Sequence, residues 1–276
     1  GLLAVDESTP TIGKRLAGIN VENTEENRQA YRGMLFTSEG LGEFISGAIL
    51  FEETLYQNHA DGEAMVSKIN KLGIIPGIKV DKGLSPLAGA HAVETWCKGL
   101  EGLAERTAEY YKQGARFAKW RAVLQITADG CPTDLAIREN AWGLARYAKI
   151  CQESGLVPII EPEVLMSGDH DAQRCYDVSA EILEATFIAC SIQGVHLPGA
   201  LLKPNMIIAG IDCAEQISRE EVAQMTVDCL TANVPPNLAG VVFLSGGQSD
   251  EDATAHLNLM NSMDIEHPWQ LSYSYG

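Results

Sequence analysis

Short apolar or β-branched runs recur along the chain at positions 2–5, 45–51, 74–80, 116–125, 157–160, 200–202, 241–244 and 271–275, and polar residues follow most of them at once. Runs of this length, rich in Val, Ile and Leu, read as strands buried on both faces. The stretches between them carry helical spacing and helix-start signals. Ser218 and Glu221 form a capping-box pattern ahead of Val222, Met225, Cys229 and Leu230, which fall on one helix face. Asn23 with Glu26 opens an earlier helix in the same way. Ile137, Ala141, Leu144, Ala148 and Cys151 make a third apolar stripe, which Gly155 ends.

Strand alternating with helix is the pattern of parallel βα units. Eight such units of about 35 residues need roughly 280, so the pattern predicts an α/β fold of the TIM (β/α)8 barrel type. The alternative, a doubly wound open sheet, usually carries a glycine fingerprint in its first βα turn. Here Asp6-Glu7-Ser8-Thr9-Pro10 follows the first run instead. No Pro/Gly/Ser-rich linker or internal repeat divides the chain, so a single domain over residues 1–276 is expected.

Composition narrows the function classes. The 276 residues are 46% hydrophobic and 21% charged, enough for a large core. No apolar run approaches the ~18 residues that cross a bilayer, and a membrane protein is not expected. The net charge of −17 argues against nucleic acid or anionic membrane as a partner, because phosphate contacts need clustered Lys and Arg. An anionic substrate would need a local cationic pocket. The seven cysteines (Cys97, Cys131, Cys151, Cys175, Cys190, Cys213, Cys229) are odd in number and widely spaced, without a C-x-x-C pair. That reads as reduced thiols in a cytosol-like or stromal compartment, most of them packed as small hydrophobes, with no zinc site. The chain opens at Gly1 inside an apolar run and stops at Gly276 after a strand-like segment, so both ends are expected to be cut from a longer protein.

In a barrel of this kind the chemistry sits at the carboxyl ends of the strands. Charge gathers there: Asp6 after the first run, Lys79, Asp81 and Lys82 at the third, Lys119 and Arg121 within the fourth, Glu161 and Glu163 ending the fifth, Lys203 ending the sixth. Lys79 and Lys119 lie in apolar strands, where an ammonium is costly unless a carboxylate or ligand pairs with it; structural salt bridges would also account for them. If they share a cavity with Lys203, like charges should depress at least one lysine pKa toward neutrality, and a neutral amine is a nucleophile suited to imine formation with a ketone. Leu201 and Leu202 bury the stem of Lys203 and Pro204 stops the strand, which makes Lys203 the candidate nucleophile. Glu161 and Glu163, two apart in an extended segment, face one side and can serve as general acid and base, or else simply neutralise lysines. Ser245-Gly246-Gly247-Gln248-Ser249, between a strand and a helix start, fits a phosphate site after strand seven or an ordinary glycine turn. Ser8, Thr11, Lys14 and Arg15 could serve a second phosphate.

At these residues the chain closely resembles class I fructose-bisphosphate aldolase. The motifs are Ala4-Val5-Asp6-Glu7-Ser8-Thr9, Phe51-Glu52-Glu53-Thr54-Leu55-Tyr56, Gly77-Ile78-Lys79-Val80-Asp81-Lys82-Gly83, Ala118-Lys119-Trp120-Arg121, Glu161-Pro162-Glu163, Leu202-Lys203-Pro204-Asn205-Met206 and Phe243-Leu244-Ser245-Gly246-Gly247-Gln248-Ser249. The stretch 42–50 and the pair Tyr110-Tyr111 with Gly114-Ala115-Arg116-Phe117 look more like plastid aldolases of plants and algae, which implies a stromal location, with the cytoplasm as alternative. The resemblance implies a lyase that reversibly cleaves fructose 1,6-bisphosphate to dihydroxyacetone phosphate and glyceraldehyde 3-phosphate, in glycolysis, gluconeogenesis or the Calvin cycle. It implies no cofactor, no metal and a homotetramer. Carried over by motif, Lys203 forms the imine, Glu161 is general acid/base, Asp6 assists at the cleaved hydroxyl, Lys119 stabilises developing charge, and Glu163 positions a lysine. Ser245, Gly246 and Gly247 would hold one phosphate; Ser8, Thr11, Lys14, Arg15, Lys79 and Arg121 the other, with Ser274 and Tyr275 contributing from the closing strand.

Three departures stand out. The family's arginine would follow Gly276, and its N-terminal helix and C-terminal helix and tail fall outside the chain. His196-Leu197-Pro198-Gly199 stands where most members place an acidic residue before the glycine. The competing readings are a catalytically weak phosphate-binding or scaffolding barrel, and a lysine-imine aldolase for another sugar phosphate.

Overall fold

The computed structural model describes residues 1–276. Ten strands form, β1 Leu2–Val5, β2 Gly47–Leu50, β3 Ile75–Lys79, β4 Leu84–Pro86, β5 Thr95–Cys97, β6 Phe117–Leu124, β7 Val157–Val164, β8 Leu201–Leu202, β9 Gly240–Phe243 and β10 Leu271–Tyr275. Eight of them close a barrel in the order β1-β10-β9-β8-β7-β6-β3-β2, every pair parallel. This is the expected TIM (β/α)8 barrel. The helices that follow are α1 Thr9–Gly18, α2 Glu25–Phe36, α3 Leu41–Phe44, α4 Glu52–Tyr56, α5 Met65–Lys71, α6 Leu103–Gln113, α7 Asp134–Glu153, α8 Ala172–Ile192, α9 Arg219–Asn233 and α10 Asp250–Ser262.

The remaining two strands, β4 and β5, are an antiparallel pair that the hydrophobic pattern does not reveal. Their residues are too few and too mixed in polarity to alternate. Glu94 ties the end of this pair to α7: buried at 3% exposure, it accepts from Thr133 N at 2.6 Å and His91 N at 3.0 Å.

Three apolar clusters hold the barrel. The largest lies between strands and helices and contains Trp120 and Tyr147, stacked at 5.4 Å between centroids; a second joins Leu124 and Val164 at the ends of β6 and β7 to Ile137 of α7 and Ile182 of α8. The Tyr147 hydroxyl lies 2.9 Å from Ala118 O and 2.8 Å from Ile159 O, pinning α7 to both β6 and β7. The smallest fills the barrel floor, where Ile49, Phe117, Ile159 and Val242 meet Leu2, Ala4 and Leu201. Gly77 is required there, because a Cβ would meet the Phe117 ring at 2.1 Å.

Local signals mostly hold. Ser218 and Glu221 form a complete capping box, and Ser249 caps α10. The cap of α2 is Thr24, one residue beyond Asn23, because Thr24 accepts from Asn27 N, whereas Asn23 donates to Thr9 O at 3.1 Å. All seven cysteines are free, and only Cys213 is not buried. Burial pushes the Cys175 thiol up to about 11, so it is a packing residue and not a reactive one. No helix is long and apolar enough to cross a membrane.

Candidate active site

Side chains alternate between the two faces of a strand, so every second residue of each barrel strand points inward. On β6 the inward series is Phe117, Lys119 and Arg121; on β7 it is Ile159, Glu161 and Glu163; on β8 and just beyond it, Leu201 and Lys203. The floor is apolar and the mouth charged. β7 runs on through Glu161 and Glu163 to Val164, where the hydrophobic pattern suggested an end at 160. Pro162 is tolerated within it because β8 pairs only as far as Ile160, apart from the Lys203 N–H donated to Ile160 O at 2.8 Å. No ladder bond is lost on that edge. Beyond the proline, Val164 N donates instead to Asn205 Oδ1 at 3.0 Å.

A cavity of ≈ 820 Å³ opens at this end. Its wall carries seven Lys and Arg side chains against six Asp and Glu, so it is locally cationic in a chain of net charge −17. Four charges form a connected row. Lys203 Nζ lies 3.2 Å from Glu161 Oε1; Glu161 Oε2 lies 3.4 Å from Lys119 Nζ; and Lys119 Nζ lies 2.7 Å from Asp6 Oδ2. All four side chains are at most 12% exposed. The Lys119–Asp6 contact spans the barrel interior, since β1 and β6 are not neighbours. Glu161 Oε2, although within ion-pair range of Lys119, has no hydrogen-bond partner, which leaves it free to exchange a proton with a bound molecule.

The electrostatics of the row are set by the alternation of sign. Burial works against the Lys119 ammonium, but attraction to Asp6, Glu161 and Asp81 and the Asp6 hydrogen bond outweigh it and hold its pKa above the ordinary lysine value. Burial alone would raise the Asp6 carboxyl, but Lys119, Lys203 and Lys79 together hold it below the ordinary aspartate range. Lys119 is therefore not the lysine that its fellow cations depress, because carboxylates are interleaved with the amines.

Around the row, Lys79 pairs with Asp81, Arg121 with Glu163 and Arg15 with Glu7. The Glu163 contact is thus to Arg121 and not to a lysine. Ser8 Oγ and Thr11 Oγ1 are 3.0 Å apart at the rim; Ser8 does not cap α1 with its side chain and so keeps its hydroxyl for the cavity. Ser245, Gly246, Ser274 and the terminal Gly276 complete the wall.

Three candidates lie off it. Lys14 is exposed on α1 and does not line the cavity. Gly247 takes φ 80° at a turn packed on Met166, where a Cβ would approach to 2.5 Å. The Tyr275 hydroxyl turns outward and donates to Ala253 O of α10 at 3.0 Å. The helix start after Ser249 is also less available to an anion than its glycines suggested: Ser249 accepts from Asp252 N at 3.0 Å, and Asp250, Glu251 and Asp252 fill the first turn.

Conversely, Glu7, Arg106, Glu52 and Tyr110 line the cavity without having stood out as site residues, while Asp81 and Lys82 were visible as charges at the third strand end but given no role. Glu7 was visible only as a charge beside Asp6. Arg106 gave no signal, because it sits mid-helix in α6 and reaches the mouth by donating to Val80 O at 3.0 Å. No group of three or more His, Cys, Asp or Glu side chains could hold a metal ion.

The family model for fructose-bisphosphate aldolase class-I matches residues 1–276. The chain is 53% identical to the chloroplastic fructose-bisphosphate aldolase 3 of Arabidopsis thaliana, over all of this chain and 69% of the relative. It is 56% identical to the cytosolic fructose-bisphosphate aldolase 5 of the same plant, covering 76% of it. Among solved structures, the Plasmodium falciparum fructose-bisphosphate aldolase, crystallised with TRAP and a small-molecule inhibitor, superposes with a TM-score of 0.97 at 55% identity over all of this chain and 79% of that one.

Proposed function

Because the chain belongs to the class I fructose-bisphosphate aldolase family, and is a lyase of that kind, we propose the following division of work among its residues. Lys203 passes an ammonium proton to Glu161, 3.2 Å away, and the resulting neutral amine adds to carbon 2 of fructose 1,6-bisphosphate, a proton moving from nitrogen to the former carbonyl oxygen to give the carbinolamine. Glu161, through its unpartnered Oε2, delivers the proton with which the carbinolamine hydroxyl leaves as water, giving a protonated imine. Asp6 then takes the proton of the carbon 4 hydroxyl. The electron pair of the bond between carbons 3 and 4 flows into the iminium nitrogen, and glyceraldehyde 3-phosphate departs. Protonation of the enamine at carbon 3 and hydrolysis release dihydroxyacetone phosphate and restore Lys203.

In this scheme Lys119, held charged by its carboxylate neighbours, stabilises negative charge as it develops on the substrate oxygens. Glu163 positions Arg121. Ser245 and Gly246, with Ser274, receive the phosphate nearer the imine, and Ser8, Thr11, Arg15, Lys79 and Arg121 the farther one. The observation that carries the proposal is the unbroken row Lys203–Glu161–Lys119–Asp6, which sets a nucleophile, a proton carrier, a fixed cation and a base within one cavity. Steady-state cleavage tests it. Fructose 1,6-bisphosphate should turn over with a higher kcat/KM than fructose 1-phosphate; binding without turnover would favour a scaffolding barrel, and preference for the monophosphate a different sugar-phosphate substrate.

We further propose a single domain working as a homotetramer. Trp142, Ile188 and Ile192 leave an apolar strip exposed between α7 and α8, which a second copy would cover. The plastid-like stretch 42–50 favours the stroma and the Calvin cycle; the cytosol is the alternative, given the 56% identity to a cytosolic relative. Fractionation of cells expressing the complete gene decides between them.

A further inference from the structure

Beneath the cavity rim lies a buried cluster that the scheme above does not use. Arg32 of α2 has a fully buried side chain, yet only one of its nitrogens is well bonded: Nη2 donates to the main-chain oxygen of Glu7 at 2.6 Å. Its Nε and Nη1 have no hydrogen-bond partner. Nη1 is 3.5 Å from Glu53 Oε1, but that carboxylate already takes a fork from Arg28 at 2.9 and 2.6 Å. The Glu7 side chain is 7% exposed. Its Oε1 accepts from Arg15 at the cavity rim, while Oε2 is buried without a partner, 4.0 Å from Arg32 Nη2.

A buried guanidinium and a buried carboxylate oxygen, both unsatisfied and about 1 Å beyond hydrogen-bond reach of each other, are costly neighbours. The carboxylate is instead engaged by Arg15, whose side chain is 52% exposed and which is a proposed phosphate ligand. We infer that Glu7 is a transferable counter-ion: it holds Arg15, and when a phosphate takes Arg15 the carboxylate moves about 1 Å onto Arg32. Arg32 is then a positioning residue. It lowers the cost of releasing Arg15 by giving Glu7 a second cation, and so sets affinity for the farther phosphate without touching substrate. The proposal rests on the aldolase reading and adds to it how the farther phosphate is admitted.

The test is a double-mutant cycle on Glu7→Gln and Arg32→Lys. A lysine keeps a cation in the pocket so that the fold survives, but it replaces the planar five-donor guanidinium with a point charge on a shorter side chain, which weakens its hold on Glu7. Arg32→Lys should raise KM for fructose 1,6-bisphosphate about tenfold with kcat nearly unchanged, and leave KM for fructose 1-phosphate alone. Glu7→Gln, which frees Arg15, should lower KM for the bisphosphate about threefold, and in the double variant should cancel most of the Arg32→Lys effect. The inference is overturned if Arg32→Lys depresses kcat or Tm without changing KM, if Glu7→Gln raises KM, or if the two effects simply add. Borohydride trapping of dihydroxyacetone phosphate on each variant keeps the outcomes separate. Normal trapping with a failed cycle overturns only the hand-over, whereas absent trapping in the wild-type chain overturns the aldolase scheme beneath it.

Discussion

The floor and the mouth of the barrel are built from the same strands, two residues apart. On β6 the step is from Phe117 to Lys119, on β7 from Ile159 to Glu161, and across the end of β8 from Leu201 to Lys203. Backbone geometry is shared; only the side chains change, from close-packed apolar groups to a network of alternating charge. One advance of two residues along an inward face therefore separates a layer that holds the protein together from a layer that does its chemistry. Burying four charges costs stability, and the floor and outer core offset that cost.

Breaking the mouth should cost activity far more than it costs the fold. Lys203→Met is expected to lower kcat on the order of 10⁴-fold or more, with Tm lowered, because the buried Glu161 loses one of its two lysine partners and keeps only Lys119. Calorimetry beside a cleavage assay checks both halves. Breaking the floor should do the opposite. Phe117→Ala leaves the space around Gly47 and Gly77 unfilled and is expected to destabilise by about 3–5 kcal/mol in denaturant unfolding, while kcat per folded molecule stays within about threefold.

The contrast sharpens with pH. The Asp6 pKa is lower in the folded protein than in the unfolded chain. Its contribution is therefore fully present above about pH 4, the unfolded value, and is lost as pH falls through the depressed folded value. Lys119 has the opposite sign: its folded pKa is raised, so its contribution is complete below the unfolded lysine value and lost only as pH rises through the folded one. Unfolding measured between pH 2 and 7 should thus show a shallower acid loss of stability in Asp6→Asn than in wild type, whereas Phe117→Ala should shift the whole curve without changing its slope. The smallest effect belongs to the outer core, where Tyr147→Phe removes the hydroxyl between Ala118 O and Ile159 O and should cost about 1–2 kcal/mol.

The same comparison explains what could be read from the chain. Apolar floor residues and the outward Val, Ile and Ala made the eight strands legible, because both faces are buried. The mouth was legible as chemistry but not as strand: charge at Glu161 looks like the end of an apolar run, when it is the inward face of β7 continuing into a polar cavity. Which charges pair was not legible, since the Lys119–Asp6 contact joins residues far apart in sequence and on non-neighbouring strands. That pairing keeps Lys119 from being the lysine that its fellow cations depress. Arg32 escaped because a buried arginine on a helix has no periodic signature. Tyr275 turns off the cavity because alternation on β10 sends Ser274 inward and its neighbour outward to α10.

The central claim, that the amine beyond β8 bonds covalently to the ketone, is tested most directly by reducing the protein with borohydride in the presence of dihydroxyacetone phosphate and mapping the adduct by peptide mass spectrometry. The account predicts one adduct, on Lys203, abolished by Lys203→Met and retained in Phe117→Ala. An adduct on Lys79 or Lys119 instead, or none while cleavage proceeds, would contradict it.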